Sequence, residues 1–336
     1  MSSQACPCVW VVGDIATDIA LTVSQFPRPG DDAFCESLSV SVGGCGHNMA
    51  ITLTKLGIKP ALIANVGNDL QGKAAVAELN RAGVDTTSVG MIDGLVTHLT
   101  VIVVTPDGER TIFGHIGASQ EVGTGSLEGL ENVTRPSAVL VSGYALFEPR
   151  RRLFTEGLIA RASERGVPVI LDLPVISPLA ARSAVVDLLC GLDTLIVGAT
   201  EACHLTRTET VLDAFRWLIK RTGTIVIKDG SNRLLFNDGN EVASIYPPAV
   251  STIDSTGAGD VFSATFTAAR IFNLFRPDAL AASCTMAAVS TTRRGIYVPW
   301  PRDVFSTVPA RDLKRAGLSD FGFRWLEGFP DGAESG

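Results

Sequence analysis

The chain has 336 residues, 46% hydrophobic and 19% charged, so it can bury a substantial core and is too apolar to be disordered. Lys and Arg number 28 against 35 Asp and Glu, and a net charge of -7 with no basic block excludes a nucleic-acid footprint. Mean hydropathy is +0.27, yet the longest apolar runs are strand-sized and no basic-then-apolar leader opens the chain, so neither a membrane span nor a secretion signal is expected.

Cys6-Pro7-Cys8 has no second Cys or His pair at zinc spacing, and Cys35, Cys45, Cys190, Cys203 and Cys284 are scattered. That usage fits reduced thiols in a cytoplasmic protein, where the sequon at 132–134 carries no glycan. Val9-Trp10-Val11-Val12 reads as a buried strand meeting a turn at Gly13-Asp14. Residues 15–21 read as a half-exposed strand carrying Asp18. After a Pro/Gly loop at 26–32, Ser37, Ser39 and Ser41 alternate with Leu38, Val40 and Val42, as in a sheet with one open face.

Gly43-Gly44-Cys45-Gly46-His47-Asn48 is a glycine turn into a helix that stops at Gly57. Its glycines permit close approach of a ligand to backbone. His47 has no partner for a metal site, and a structural or peripheral role is expected. A strand at 61–66 and a helix at 70–82 follow. Between them, Gly67 to Ala74 nearly spells a P-loop, but Ala74 replaces the magnesium-binding hydroxyl and Asp69 would oppose phosphate.

A hairpin joins 96–105 to 111–116 through Pro106-Asp107-Gly108-Glu109. Strands at 138–141, 167–171, 194–197 and 224–227 then alternate with helices at 149–164, 178–189, around Glu201 and at 211–221. A hairpin at 233–246 precedes two long helices, 257–275 and 277–291, and the end beyond 327 is expected to fray. Val/Ile-rich strands separated by helices predict an α/β fold, a parallel sheet covered on both faces. In such sheets ligands bind beyond the carboxyl ends of the strands. Asp172, Glu201, Lys228 and the turn at 43–48 all lie there.

So does Asp254-Ser255-Thr256-Gly257-Ala258-Gly259-Asp260, a tight loop opening onto a buried helix. The end of such a helix offers unpaired amides and a positive dipole, and small residues let an anion approach. A carboxylate in the same turn makes sense if Asp260 takes a proton from a hydroxyl while the amides hold the phosphoryl group it attacks. The same seven residues also suit an ordinary helix cap with an acidic first turn.

Two stretches together resemble the ribokinase-like (PfkB) family of carbohydrate and nucleoside kinases. Gly43-Gly44-x-x-x-Asn48 is similar to its N-terminal signature, and 254–260 to its D-T-x-G-A-G-D signature. Val12-Gly13 with Asp18, Pro27-x-Pro29-Gly30, Leu56-Gly57, Val66-Gly67-Asn68-Asp69 and Thr292-Arg293-Arg294-Gly295 fall in family order. The resemblance implies one doubly wound α/β domain over 1–326, with a small β lid from about 15–23, 33–42 and 96–116. It implies transfer of the γ-phosphoryl of ATP to an alcohol, with Asp260 as base and the amides of Gly257, Ala258 and Gly259 as anion hole. Asp18, Gly43, Gly44, Asn48 and Glu148 fall at substrate positions. Glu201, Lys228, Gly230, Gly257 and Gly259 fall at nucleotide positions, with Mg2+ near Glu201 and a monovalent cation such as K+ near Asp254.

Three departures qualify it. Gly198 stands where the family's N-x-x-E motif has Asn, Ala16 replaces a sugar-contacting Asn, and Cys45 replaces a Lys. No basic residue in the 43–48 turn would receive a phosphosugar. The expected activity is therefore phosphorylation of an uncharged sugar, with a nucleoside as the alternative and Phe113 or Phe147 available to stack a base. A catalytically silent binding protein is the alternative of another class. Expected partners are the small molecule itself and a second copy through the lid, with no nucleic acid or membrane.

Overall fold

The first strand, β1 (Cys8–Val12), hides apolar side chains on both faces: Val9 and Val11 enter one hydrophobic cluster, Trp10 and Val12 the other. A strand buried on both sides needs a layer of helices above and below it. The computed structural model describes residues 6–106, 110–121, 135–174, 182–239, 242–274, 276–295 and 297–327.

In chain order β1 is followed by β2 (Ala16–Thr22), β3 (Ser37–Gly43), α1 (Cys45–Lys55), β4 (Lys59–Gly67), α2 (Leu70–Arg81), β5 (Val89–Ile92), β6 (His98–Val104) and β7 (Arg110–His115). Then come β8 (Ala138–Ser142), α3 (Pro149–Glu164), β9 (Val169–Leu173), α4 (Arg182–Leu188), β10 (Thr194–Gly198), α5 (Ala199–Thr206), α6 (Val211–Leu218) and β11 (Thr224–Asp229). The hairpin β12 (Arg233–Asn237) and β13 (Val242–Ile245) leads to α7 (Ala258–Ile271), α8 (Arg276–Ser290), α9 (Pro301–Thr307), α10 (Ala310–Arg315) and α11 (Asp320–Glu327).

Nine strands form one sheet in the order β13-β12-β11-β10-β9-β8-β1-β4-β5, parallel from β11 to β5, with the hairpin added antiparallel at one edge. Alternate residues of the central strands feed opposite layers: Leu140, Ile170, Ile196 and Val226 face α1, α2, α7 and α8, while Val141, Leu171, Val197 and Ile227 face α3 to α6. Burying each such side chain stabilises the fold by about 1.5–3 kcal/mol.

The second sheet, β3-β2-β6-β7, stands apart. Asp18 pairs across it with Ser41 and Thr100, while Ile19 shares the other face with Val40, Val101 and Phe113. Phe113 therefore points away from the Asp18 face and is no candidate to stack a base there.

Two stretches were not fully legible. β5 has a glycine in four residues and no alternation, and α9 to α11 are short. Residues 107–109, the sequon, the start of the helix expected at 178 and the end expected to fray lie outside the described residues. All seven cysteines are free thiols, and no described helix is long and apolar enough to cross a membrane.

Candidate active site

The strand ends converge as the topology requires. Asp172 is the penultimate residue of β9 and Lys228 of β11, and the loop into α7 lies beside them. Lys228 Nζ is 3.0 Å from Asp172 Oδ1 and 5.5 Å above the ring of Phe262. A Cβ on Gly259 would lie 3.5 Å from that Nζ and 4.0 Å from Asp172 Oδ2. The cation–carboxylate pair thus sits against the helix end, at ordinary contact distance from position 259.

That helix end is built to stay open. Gly257 takes φ +78 at the N-cap, a conformation that favours glycine, and no side chain caps the helix. Ala258 N–H makes only a long bond, 3.3 Å, to Ser255 O. Asp254 shapes the preceding turn: Oδ1 accepts from Thr256 N (2.9 Å) and Thr256 Oγ1 (2.7 Å), and Oδ2 accepts from Gly295 N (3.0 Å). The near-P-loop at α2 shows the opposite arrangement. Asp69 Oδ1 accepts from Gly72 N at 2.8 Å and Oδ2 from Thr97 N at 2.8 Å, so the chain's own carboxylate occupies that end. Burial raises the Asp69 carboxyl, but the Thr97 and Gly72 hydrogen bonds more than offset this and hold it below the ordinary range.

Asp260, in the first turn of α7, accepts a 2.8 Å hydrogen bond from Asn48 Nδ2, 212 residues away in the chain. Burial, chiefly, pushes its carboxyl from the ordinary 3.8 to about 7; Asn48 and Lys228 pull it down, and the negative charges of Asp172 and Asp18 push it up. Those same influences place Asp172, Lys228 and Asp18 around it. Asp18, on β2, is buried at 8% exposure. Burial raises its carboxyl, with the Thr100 hydroxyl and the charges of His98 and His47 opposing.

Asn48 is held in the first turn of α1, whose start packs backbone on backbone. A Cβ at Gly13 would lie 2.6 Å from Gly46 Cα, and one at Gly44, which has φ +90, would meet Asp14 O at 2.5 Å. The glycines at 44 and 46 thus have a local cause besides ligand approach, and Gly43 closes β3 opposite Ala16. Beneath this turn, Asp14 forms a buried ion pair with Arg151 of α3, and Asp14 N donates to Cys45 Sγ at 3.4 Å. Burial raises the Cys45 thiol, which keeps it neutral.

The remaining expected positions lie at the ends of other elements. Glu148 is the half-buried N-cap of α3. Gly230 takes φ +54 in the turn after β11. Glu201, in the first turn of α5, folds its carboxylate over Gly198, in the space that a side chain there would fill. The flexible end of Glu201 thus occupies space that Gly198 leaves open. No group of three His, Cys, Asp or Glu among the described residues forms a metal cage.

Tyr144 and the Asp14–Arg151 pair escaped the sequence reading. Tyr144, edge-on to Phe147 with centroids 5.5 Å apart, keeps 43% of its surface exposed, and its phenol is pushed up by the buried part of the ring and then by Cys45, Asp260, Asp14 and Asp172. Asp14 and Arg151 are 137 residues apart, and no local pattern links them.

The family model for pfkB family carbohydrate kinases matches residues 8–303. The ribokinase of Haemophilus influenzae is 28% identical over 294 residues, 85% of this chain and 92% of that protein. The aminoimidazole riboside kinase of Salmonella typhimurium is 26% identical over 330 residues, 92% of this chain and 97% of that protein. Among solved structures, Arabidopsis thaliana ribokinase complexed with ribose and ATP superposes with TM-score 0.73 at 24% identity, covering 94% of this chain and 100% of that one. Burkholderia thailandensis nucleoside kinase in complex with inosine gives TM-score 0.74 at 17% identity, covering 90% and 100%.

Proposed function

Because the chain belongs to the pfkB family of carbohydrate kinases, we propose that it transfers the γ-phosphoryl of ATP to a hydroxyl of an uncharged sugar, with Asp260 as general base. The hydrogen bond between Asn48 and Asp260 is the observation that carries this reading. It joins the N-terminal glycine turn to the open end of α7, so that the acceptor and the phosphoryl group would meet at one carboxylate.

Phosphoryl transfer is mainly positioning and charge stabilisation. Asp18 and Asn48 would orient the acceptor hydroxyls, with Gly43, Gly44 and Glu148 at the rim of the same pocket. An Asp260 carboxyl at about 7 is matched to taking a hydroxyl proton near neutral pH, worth on the order of 10²–10⁴ in rate. The amides of Gly257, Ala258 and Gly259 would face the charge that develops on the migrating group, and losing one such donor costs roughly 3 kcal/mol. Lys228, held by Asp172, adds a fixed positive charge beside them, and Gly230 borders the same nucleotide side.

The donor set suits a Mg2+ carried in on the nucleotide phosphates, with Glu201 as the nearby carboxylate, because Mg2+ keeps waters and seldom needs an all-protein cage. A K+ at Asp254 would share oxygens already bonded to Thr256 and Gly295. The small sheet would act as a lid over the acceptor. Its outer face leaves Leu38 60%, Val40 60% and Phe113 56% exposed, which supports pairing with a second copy, tested by light scattering of the parent and Phe113→Asp.

A nucleoside is the second reading, supported by the Tyr144–Phe147 ring pair close to Asp260. A coupled ADP-release screen across free sugars and nucleosides separates the two. Turnover of nucleosides alone would overturn the sugar assignment, and no turnover with any alcohol would overturn both.

A further inference from the structure

A line of polar contacts runs from the surface of α2 to Asp260. Glu78, half-exposed, places Oε1 3.4 Å from His47 Nε2. His47 Nδ1 lies 3.2 Å from Asn48 Oδ1, and Asn48 Nδ2 donates to Asp260 Oδ2 at 2.8 Å. His47 and Asn48 are 5% and 3% exposed.

Hydrogen-bond chemistry sets the direction of each contact. An ionised Asp260 only accepts, so Asn48 must turn its NH2 toward it. Oδ1, which only accepts, then faces His47, so Nδ1 must carry a proton. Nε2 lies 3.4 Å from the Glu78 carboxylate. The approach of His47, an ion contact at Nε2 short of a formed hydrogen bond, is in turn the main reason that the Glu78 carboxyl is held below its ordinary range. The charged groups around the ring are Glu78 from α2, with Arg81 acting on that carboxylate, Asp18 from β2 and, through Asn48, Asp260 from α7.

We infer that His47 is a positioning residue for the reaction: braced by Glu78, it locks the Asn48 amide in the orientation that donates to Asp260. The inference rests on Asp260 being the base. Without the lock the amide can turn over, and its oxygen would then confront the Asp260 carboxylate. Since Asn48 is what chiefly opposes the effect of burial on Asp260, losing that donor raises the carboxyl further and leaves less of it ionised at neutral pH.

The test measures kcat/KM against pH for the full chain with an accepted acceptor, in the parent, His47→Leu, His47→Asn, Glu78→Gln and Asp260→Asn. In the parent, activity falls on the acid side with a midpoint of about 7. His47→Leu should move that midpoint up by about one pH unit and lose about fivefold at pH 7. His47→Asn, whose NH2 replaces the Nδ1 donor, should recover most of the loss. Glu78→Gln should shift the midpoint the same way by less. A folded His47→Leu that melts earlier but keeps the parent midpoint would overturn the inference, because His47 would then only pack. If His47→Leu does not fold, an unchanged midpoint in Glu78→Gln overturns it instead. An active Asp260→Asn would remove the base assignment first, and an inactive one beside an unshifted His47→Leu would remove the His47 role alone.

Discussion

Replacing Asp260 by Asn should separate activity from stability, and the structure sets both magnitudes. The change is isosteric, and an Asn at 260 can still accept from Asn48 through its amide oxygen, so the turn is preserved. What disappears is the proton acceptor. A positioned general base contributes on the order of 10²–10⁴ in rate, so kcat should fall by that factor, about 3–5 kcal/mol, while ATP binding stays within about twofold. Stability moves the other way. The Asp260 carboxyl rises from the ordinary 3.8 to about 7 on folding, so between those values the folded state binds more protons than the unfolded chain, and stability declines as pH rises. Above pH 7 the folded protein carries the full cost of a disfavoured charge, at most about 4 kcal/mol and about 2–3 kcal/mol after allowing for the residue's partial exposure. The neutral amide removes it. Urea unfolding at pH 8 should therefore show Asp260→Asn more stable than the parent, with the gain shrinking as pH falls through 7 and gone near pH 4. A variant that turns over at the parent rate, or one less stable at pH 8, would refute the reasoning.

Asp18→Ala should raise the acceptor KM roughly tenfold or more, the worth of a hydrogen bond to a charged group, and leave the KM for ATP nearly unchanged; equal effects on both would take Asp18 out of the acceptor pocket. Arg151→Met leaves the Asp14 carboxylate buried without its counter-charge and should cost about 3–5 kcal/mol in urea unfolding. The double change with Asp14→Asn should recover much of that loss, and a single variant within about 1 kcal/mol of the parent would show the pair to be energetically idle.

The relation between stability and activity in this site has one physical source. Asp260, Asp172 and Asp18 are three carboxylates gathered around a helix end, with Lys228 as the cation among them that acts on Asp260. Such a gathering is unfavourable for folding and useful for proton abstraction. The hydrogen bond from Asn48 restrains the effect of burial without cancelling it, which keeps the proposed base near neutral pH.

Much of this arrangement is local and therefore legible in the chain. Val/Ile-rich strands between amphipathic helices imply a sheet covered on both faces, because only such a sheet hides both sides of a strand such as β1. Gly257 and Gly44 mark positive-φ turns, and the strand-end rule brings Asp172, Lys228 and the 254–260 loop to one edge. β5 and the helices beyond 300 were not legible, because pairing at a sheet edge and packing of short helices depend on partners distant in sequence.

The turn at 254–260 could be read from residues alone as either a helix cap or a phosphoryl site, and the paired signatures tipped that reading. Contact between its carboxylate and the rest of the chain needed three dimensions. Asn48 reaches Asp260 across 212 residues, Arg151 reaches Asp14 across 137, and Glu201 folds over a glycine that in sequence is merely a missing Asn. His47 changes most: met in sequence it is a histidine without a partner, and in the fold it lies between Glu78 and Asn48, one side chain from Asp260. Backbone preferences act within a few residues and are written locally, whereas protonation, hydrogen-bond direction and charge pairing depend on what the fold brings within about 4 Å.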